Sequence, residues 1–160
     1  PDMHIVHFDA HTDLRDDYLG EKLSHACVMR RCYELLGDGR IHQFGIRSGD
    51  KEEFYRAKGH IDICKFNFDT LDKTIQELKD THVYLTIDLD VIDPSEFPAT
   101  GTPEAGGVSF LMLNDAIKKL SVLNIIGADM VELSPPYDKS GISTALACKL
   151  LRELLLNIYM

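Results

Sequence analysis

Residues 83–94 read Val-Tyr-Leu-Thr-Ile-Asp-Leu-Asp-Val-Ile-Asp-Pro, and this stretch decides the fold. The run from Val83 to Leu89 is apolar apart from Thr86 and Asp88, which is typical of a central parallel strand covered on both faces. Asp88 and Asp90 lie two residues apart at its end, so an extended backbone would place both carboxylates on one side. We therefore predict a buried strand that ends in paired carboxylates.

A second stretch has the same design. Residues 3–13 read Met-His-Ile-Val-His-Phe-Asp-Ala-His-Thr-Asp, which predicts a strand over 3–9. The spacing of two residues lets Asp9, His11 and Asp13 converge. Carboxylates that meet at strand ends repel one another unless cations lie between them, so the two stretches together predict a site for two divalent metal ions. Strand-end aspartates can instead cap turns, but two such runs in one chain favour the metal site.

Strand and helix signals alternate along the whole chain. Such alternation predicts an α/β fold of three layers, with a mainly parallel sheet between two layers of helices joined by right-handed crossovers. A flavodoxin-like fold would also fit, although no glycine-rich phosphate loop follows the first strand. The predicted strands are 3–9, 41–46, 61–66, 83–89 and 124–133; the predicted helices follow Ser24, span 51–58, follow Asp69 or Thr70, follow Ser109, and span 141–159.

The expected ligand site lies at the carboxyl ends of the strands, where open parallel sheets bind their ligands. Asp9, Asp88 and Glu132 each follow or end a predicted strand, so three separate segments are expected to point into one crevice.

The composition and net charge of the chain restrict the kinds of partner that it can bind. A chain of 160 residues predicts a single domain over 1–160. Its net charge of -9 argues against nucleic acid and anionic membranes as partners and favours a small cationic ligand. No apolar run approaches the roughly 18 residues that a membrane span needs. The four cysteines form no Cys-x-x-Cys pair, which indicates buried free thiols and a cytoplasmic location.

Five motifs resemble those of the ureohydrolases, the arginases, agmatinases and their relatives, in the same order. The resemblance extends over essentially the whole chain and is strongest to bacterial agmatinases, notably in residues 11–15. The motifs are Asp9-Ala10-His11-Thr12-Asp13, Ser24-His25-Ala26, Asp88-Leu89-Asp90-Val91-Ile92-Asp93-Pro94, Pro98-Ala99-Thr100-Gly101-Thr102-Pro103-Glu104 and Val131-Glu132-Leu133-Ser134-Pro135.

The resemblance implies an arginase-like fold and two Mn²⁺ ions per active site. It assigns Asp9 and Asp13 to the first metal, His11 and Asp90 to the second, and Asp88 to both. In this family a hydroxide that bridges the metals attacks the guanidinium carbon, and the products are urea and an amine.

Three further residues receive roles through the same resemblance. His25 matches a histidine that shuttles protons near the leaving group, although a histidine at a helix start can simply pack there. Glu132 matches a carboxylate that grips the guanidinium, although a strand-end glutamate can be a plain cap. Thr102 resembles a residue that lines the substrate pocket. His7 shares the face of Asp9 and could support a metal ligand there, but we prefer to interpret it as a packed core histidine. We interpret Asp93 as a structural residue that turns the chain.

One family motif is missing. Ureohydrolases carry a Gly-Gly-Asp-His-Ser segment whose histidine binds the first metal, and the sequence lacks it, so we expect a C-terminal fragment whose sheet is incomplete at the N-terminal side.

The leading hypothesis is an agmatinase-like hydrolase that converts agmatine to putrescine and urea within a homo-oligomer, a trimer or hexamer. The alternatives are a ureohydrolase for guanidinobutyrate or arginine, and a non-catalytic scaffold. Arg15 bears on the first alternative, because its charge would favour a substrate carboxylate unless Asp16 and Asp17 neutralise it.

Overall fold

The computed structural model describes residues 2–159, with the side chain of Tyr159 left out. Strands and helices alternate through this range, as the sequence predicted. The strands are β1 (Met3–Phe8), β2 (Ile41–Ile46), β3 (Asp62–Lys65), β4 (His82–Asp88) and β5 (Asn124–Val131); the α-helices are α1 (Val28–Leu36), α2 (Lys51–Ala57), α3 (Leu71–Leu78), α4 (Phe110–Leu120) and α5 (Ile142–Tyr159).

Within residues 2–159 the strands form one five-stranded sheet in the order β3-β2-β1-β4-β5. Every pairing is parallel, so the expectation of a mainly parallel sheet is confirmed in its strictest form. β1 and β4 are neighbours at the centre, and Phe8 pairs with Ile87 at the carboxyl end of both strands. The two polar stretches that follow these strands therefore emerge side by side.

Two apolar cores cover the two faces of the sheet and create the three layers. Ile5 and Ile41 pack with Met29 of α1 and Ala57 of α2 on one face. Val6 belongs to a larger core on the opposite face, as expected for the residue that follows Ile5 in a strand. Helices α3, α4 and α5 supply that larger core through Leu71, Leu113 and Leu150.

Four strands end earlier than the sequence predicted, whereas β2 ends at Ile46 as expected. β1 ends at Phe8 and β4 at Asp88, where a 3-10 turn begins and the Asp88 carboxylate accepts a hydrogen bond from the Asp90 amide at 2.9 Å. β5 ends at Val131, because Glu132 adopts a left-handed backbone with φ of 65°. Side-chain hydrogen bonds and turns, which override the apolar pattern, thus set the carboxyl edge of the sheet.

The helix starts follow the expected capping in part. Ser109 accepts a hydrogen bond from the Met112 amide and caps α4, as predicted. Ser24 makes no capping bond, because the chain first forms a 3-10 turn over His25–Cys27 before α1 begins. Thr70 likewise precedes α3 without a side-chain cap.

One edge of the sheet and one face of α5 leave apolar surface exposed. On α5 the exposed residues include Leu151, Leu155 and Leu156. In the part of the chain that the structure describes, β5 pairs with β4 alone, and Ile126 and Val131 in β5 are 53% and 42% exposed. Among the helices of residues 2–159, none is long and apolar enough to cross a membrane.

All four cysteines are free thiols, but the expectation that they are buried holds only for Cys27 and Cys64, since Cys32 is half-buried and Cys148 is exposed.

Candidate metal centre and substrate cavity

Asp9, His11 and Asp90 form a compact group at the carboxyl end of the sheet. Their ligand atoms lie within 4.8 Å of one another. Nδ1 of His11 is 3.4 Å from Oδ1 of Asp9 and 3.0 Å from Oδ2 of Asp90. The Ala10 amide donates to Oδ1 of Asp90 at 3.0 Å and so ties the two polar stretches together.

Asp9 also belongs to a second group, with His7 and Asp13. Asp13 reaches it because its backbone is left-handed, with φ of 53°, so the convergence does not come from the extended chain that the sequence suggested. Asp88 lies beside both groups without belonging to either, and its charge interacts with those of Asp9 and Asp90. The five residues predicted as metal ligands therefore share one region, with Asp9 at its centre.

The crowding of carboxylates disturbs their protonation. Burial, followed by the charges of Asp9 and Asp90, raises the pKa of Asp88 to about 11. Burial and the charge of Asp9 raise the pKa of Asp13 to about 8. Burial would also raise the pKa of Asp9, but its contacts with His7 and His11 outweigh this effect and hold the pKa below its ordinary value. Such a cluster needs positive charge to be fully ionised at neutral pH.

The donor set fits divalent cations. Oδ2 of Asp90 is buried, and no hydrogen bond from the described residues reaches it, although Nδ1 of His11 lies 3.0 Å away. Burial would lower the pKa of His11, yet its contacts with Asp9 and Asp90 raise it to about 10, so its Nδ1 faces a strongly negative space. Carboxylate oxygens with one imidazole suit Mn²⁺, although the donor types alone do not select it over neighbouring metals.

A cavity of about 480 Å³ opens directly above these groups. This volume is within the range of pockets that bind small molecules. His11, Asp13, Asp88 and Asp90 lie in its wall, while Asp9 is buried behind them. The remaining residues predicted for the site line the same cavity: His25, Thr102 and Glu132.

His25 and Glu132 reach the cavity from different directions. His25 is exposed in the 3-10 turn before α1, and its ring meets that of Tyr18 edge-on with centroids 5.2 Å apart. Glu132 enters from the turn after β5, where a non-glycine left-handed residue is strained. Gly101 lies close by, since a Cβ built on it would be 3.9 Å from Oε2 of Glu132.

Arg47 is a structural element of the site that the sequence did not reveal. Its guanidinium follows β2 and donates hydrogen bonds to the carbonyls of Asp90 and Glu104 at 2.7 and 2.8 Å. It also donates to Gly45 and Val91 at 3.2 Å each. These hydrogen bonds hold the Asp90 turn against the loop that carries Thr102. No local sequence pattern predicts them.

Glu53 is a second such residue. It is buried and accepts hydrogen bonds from the Thr12 hydroxyl at 2.7 Å and the Leu14 amide at 3.0 Å, and so anchors residues 12–14 to α2. The same carboxylate completes a capping box with Asp50 at the start of α2. Arg15 lies 3.6 Å from Glu53, so its charge is countered there, whereas Asp16 bonds to Arg31.

Asp93 has the structural role that the sequence indicated. Its carboxylate accepts hydrogen bonds from Ser95 and from the amides of Gly106 and Gly107, and the bonds from Ser95 lead the effects that lower its pKa to about 2. Gly107 permits this approach, because a Cβ on it would meet the Asp93 backbone nitrogen at 2.4 Å.

Comparison with known proteins decides the family. The model of the arginase family matches residues 1–157. The chain belongs to the arginase family. Agmatinase of Bacillus subtilis is 46% identical over 161 residues, which cover 98% of this chain and 56% of that protein. Guanidinobutyrase of Pseudomonas aeruginosa is 36% identical over 94% of this chain and 51% of that protein.

A solved arginase-family structure confirms the fold. The crystal structure of agmatine ureohydrolase of Thermoplasma volcanium matches with a TM-score of 0.87 and 40% identity, over 98% of this chain and 55% of that one. The chain thus spans little more than half the length of the arginase-family relatives that it matches.

Proposed function

We propose that the protein containing this chain hydrolyses the guanidinium group of agmatine to give putrescine and urea. One observation carries the proposal: the carboxylates and imidazole around Asp9 border a single cavity that also receives Glu132 and His25. A guanidinium ion is a poor electrophile, so its hydrolysis needs a strong nucleophile, a grip on the cation and a proton for the departing amine. The cavity offers a candidate group for each of these needs.

The metal site is proposed to hold two Mn²⁺ ions. Asp9 belongs to both groups of ligands, so we assign it to both ions and not, as the resemblance implied, to the first alone. His11 and Asp90 would complete one set and Asp13 the other. Asp88, beside the two groups, is the second carboxylate proposed to serve both ions. When bound, a pair of divalent cations supplies the nucleophile by lowering the pKa of a water molecule.

The protein residues around the cavity account for the other steps. Glu132 presents two carboxylate oxygens, which can accept paired hydrogen bonds from a planar guanidinium. Thr102 lines the same cavity and would orient the substrate from the opposite loop. His25 is exposed to the cavity, and an imidazole can deliver a proton to the leaving nitrogen near neutral pH.

The charge of the cavity favours agmatine over a guanidino acid. Agmatine carries an ammonium group at its far end, which an uncompensated Arg15 would repel. Arg15 lies 3.6 Å from Glu53 and 4.0 Å from Asp50, so its charge is balanced within the cavity wall. Identity of 45–47% to four proteins named agmatinase, against 36% to a guanidinobutyrase, supports the same choice.

A substrate panel tests the proposal. Full-length protein loaded with Mn²⁺ is given agmatine, guanidinobutyrate and arginine, and released urea is measured. We expect the highest kcat/KM with agmatine. Preference for guanidinobutyrate would assign the carboxylate-binding role to Arg15 and overturn the choice of substrate, and absence of urea from all three would favour a non-catalytic scaffold.

A further inference from the structure

A buried polar pair lies beneath Asp9. His7 in β1 and Gln43 in β2 are paired in the parallel register, so their side chains project from the same face of neighbouring strands. His7 is 2% exposed and Gln43 is fully buried. His7 is buried as expected for a core histidine, and Nε2 of its ring also lies 2.8 Å from Oδ2 of Asp9, which fits the alternative that it supports this carboxylate.

The orientation of this pair follows from its hydrogen bonds. Nε2 of Gln43 lies 2.8 Å from the Thr12 carbonyl oxygen, which can only accept, so the amide nitrogen must face it. The same nitrogen lies 2.9 Å from Nδ1 of His7, so Nδ1 accepts a hydrogen bond from the second N–H of the Gln43 amide. The proton of the neutral imidazole is then on Nε2, which lies 2.8 Å from Oδ2 of Asp9.

Donors face both oxygens of the Asp9 carboxylate. Because Nδ1 of His7 accepts from Gln43, the ring is held with its proton on Nε2, which is directed at Oδ2 of Asp9. The backbone amide of His11 donates to the other oxygen of Asp9 at 2.6 Å, so both carboxylate oxygens are held in place.

We propose that His7, oriented by Gln43, is a positioning residue that fixes the Asp9 carboxylate for metal binding. The inference rests on the proposed function, because it treats Asp9 as a metal ligand. Hydrogen bonds that orient a ligand commonly contribute 10- to 100-fold to metal affinity. His7 itself is not a ligand in this arrangement, since Nδ1 faces Gln43 and Nε2 donates to Asp9, and neither ring lone pair is directed at a cation.

The test compares side chains that can and cannot reach Asp9. Mn²⁺ affinity and stoichiometry of the full-length protein are measured by equilibrium dialysis, and folding of the metal-free form by circular dichroism. In His7→Gln the amide nitrogen occupies the place of Nε2, so we expect near-normal affinity. His7→Asn is too short, and we expect a 10- to 100-fold loss with two ions still bound at saturation. Gln43→Met should cause a smaller loss, and His60→Asn, on an exposed histidine, none.

The outcomes separate the inference from the function on which it rests. Equal affinity in the wild type, His7→Gln and His7→Asn would overturn the positioning role. A fall from two ions to one in both variants would make His7 a ligand and would overturn it as well. Failure of the wild-type protein to bind Mn²⁺ would refute the metal site and with it this inference. Because both variants keep a polar side chain, a defect confined to His7→Asn in a folded protein would support the proposal.

Discussion

Nδ1 of His11 lies 3.0 Å from Oδ2 of Asp90, although the two residues follow different strands. They meet because β1 and β4 are neighbours at the centre of the sheet and run in the same direction. Both carboxyl ends therefore open on one side, and the turns after them need only a few residues to bring their side chains together. The topology of the sheet builds the candidate metal centre.

The carboxylate of Asp88 is expected to be essential for metal binding. In the full-length protein, Asp88→Ala should abolish urea release and weaken both Mn²⁺ ions, because a carboxylate shared by two cations supports each of them. Asp115→Ala, on an exposed carboxylate of α4, is the matched control and should leave both properties unchanged. Metal analysis that still found two tightly held ions in Asp88→Ala would show that Asp88 does not serve both.

Replacement of His25 should impair the chemistry without affecting the metals. We expect His25→Asn to lower kcat by roughly 10²- to 10⁴-fold, the usual contribution of general acid–base catalysis, with full manganese content. His60→Asn provides a control, because His60 is an exposed histidine that bonds to Asp38 instead of lining the cavity. Loss of metal would make His25 a ligand, and an unchanged kcat would reduce it to a packing residue.

Arg47 should be irreplaceable by lysine. A guanidinium has five N–H donors and an ammonium has three, so Arg47→Lys leaves carbonyls of the Asp90 turn and the Glu104 loop without partners. We expect a loss of about 1–3 kcal/mol in the free energy of unfolding, measured by urea denaturation, and a higher KM. Arg56→Lys, which changes an exposed arginine paired with Glu52, should cost far less. Equal effects of the two substitutions would contradict the structural role of Arg47.

The 160-residue chain by itself should be prone to aggregation. β5 offers unpaired backbone groups along one edge, and α5 beside it exposes Leu151, Leu155 and Leu156. We expect poor solubility, better retention of the ion held by His11 and Asp90 than of the other, and little urea release. Ile126→Lys should improve solubility by placing a charge on β5, and Val122→Lys, before the strand, should help less. A soluble monomer with two ions and normal turnover would contradict this expectation.

The alternation of apolar runs and helix signals was sufficient to predict the layers of the fold. The central strand β4 was recognised because parallel strands covered on both faces are almost continuously apolar. The other strands were recognised from shorter apolar runs interrupted by polar residues, such as Asp-Ile-Cys-Lys in β3. The sequence also placed Asp9, Asp88 and Glu132 at one edge of the sheet, since that follows from parallel topology alone. Strand ends were less predictable: Glu132 leaves β5 through a left-handed backbone that no apolar pattern indicates.

The contacts that support the site could not be predicted, because they join distant segments. Glu53 holds Thr12, and Arg47 holds the Glu104 loop, across separations that a local pattern does not reveal. Gln43 shows that the missing information was the register between neighbouring strands. Once β1 and β2 are known to pair with His7 opposite Gln43, the hydrogen bond between them follows, but the register comes only from the structure.

The two-metal centre can be tested directly by the anomalous scattering of manganese in crystals of the Mn²⁺-loaded, full-length protein. We expect two peaks at the base of the cavity, one contacting His11 and Asp90, the other contacting Asp13, and both within reach of Asp9. A single peak, or manganese bound away from Asp9, would contradict the proposed two-metal centre.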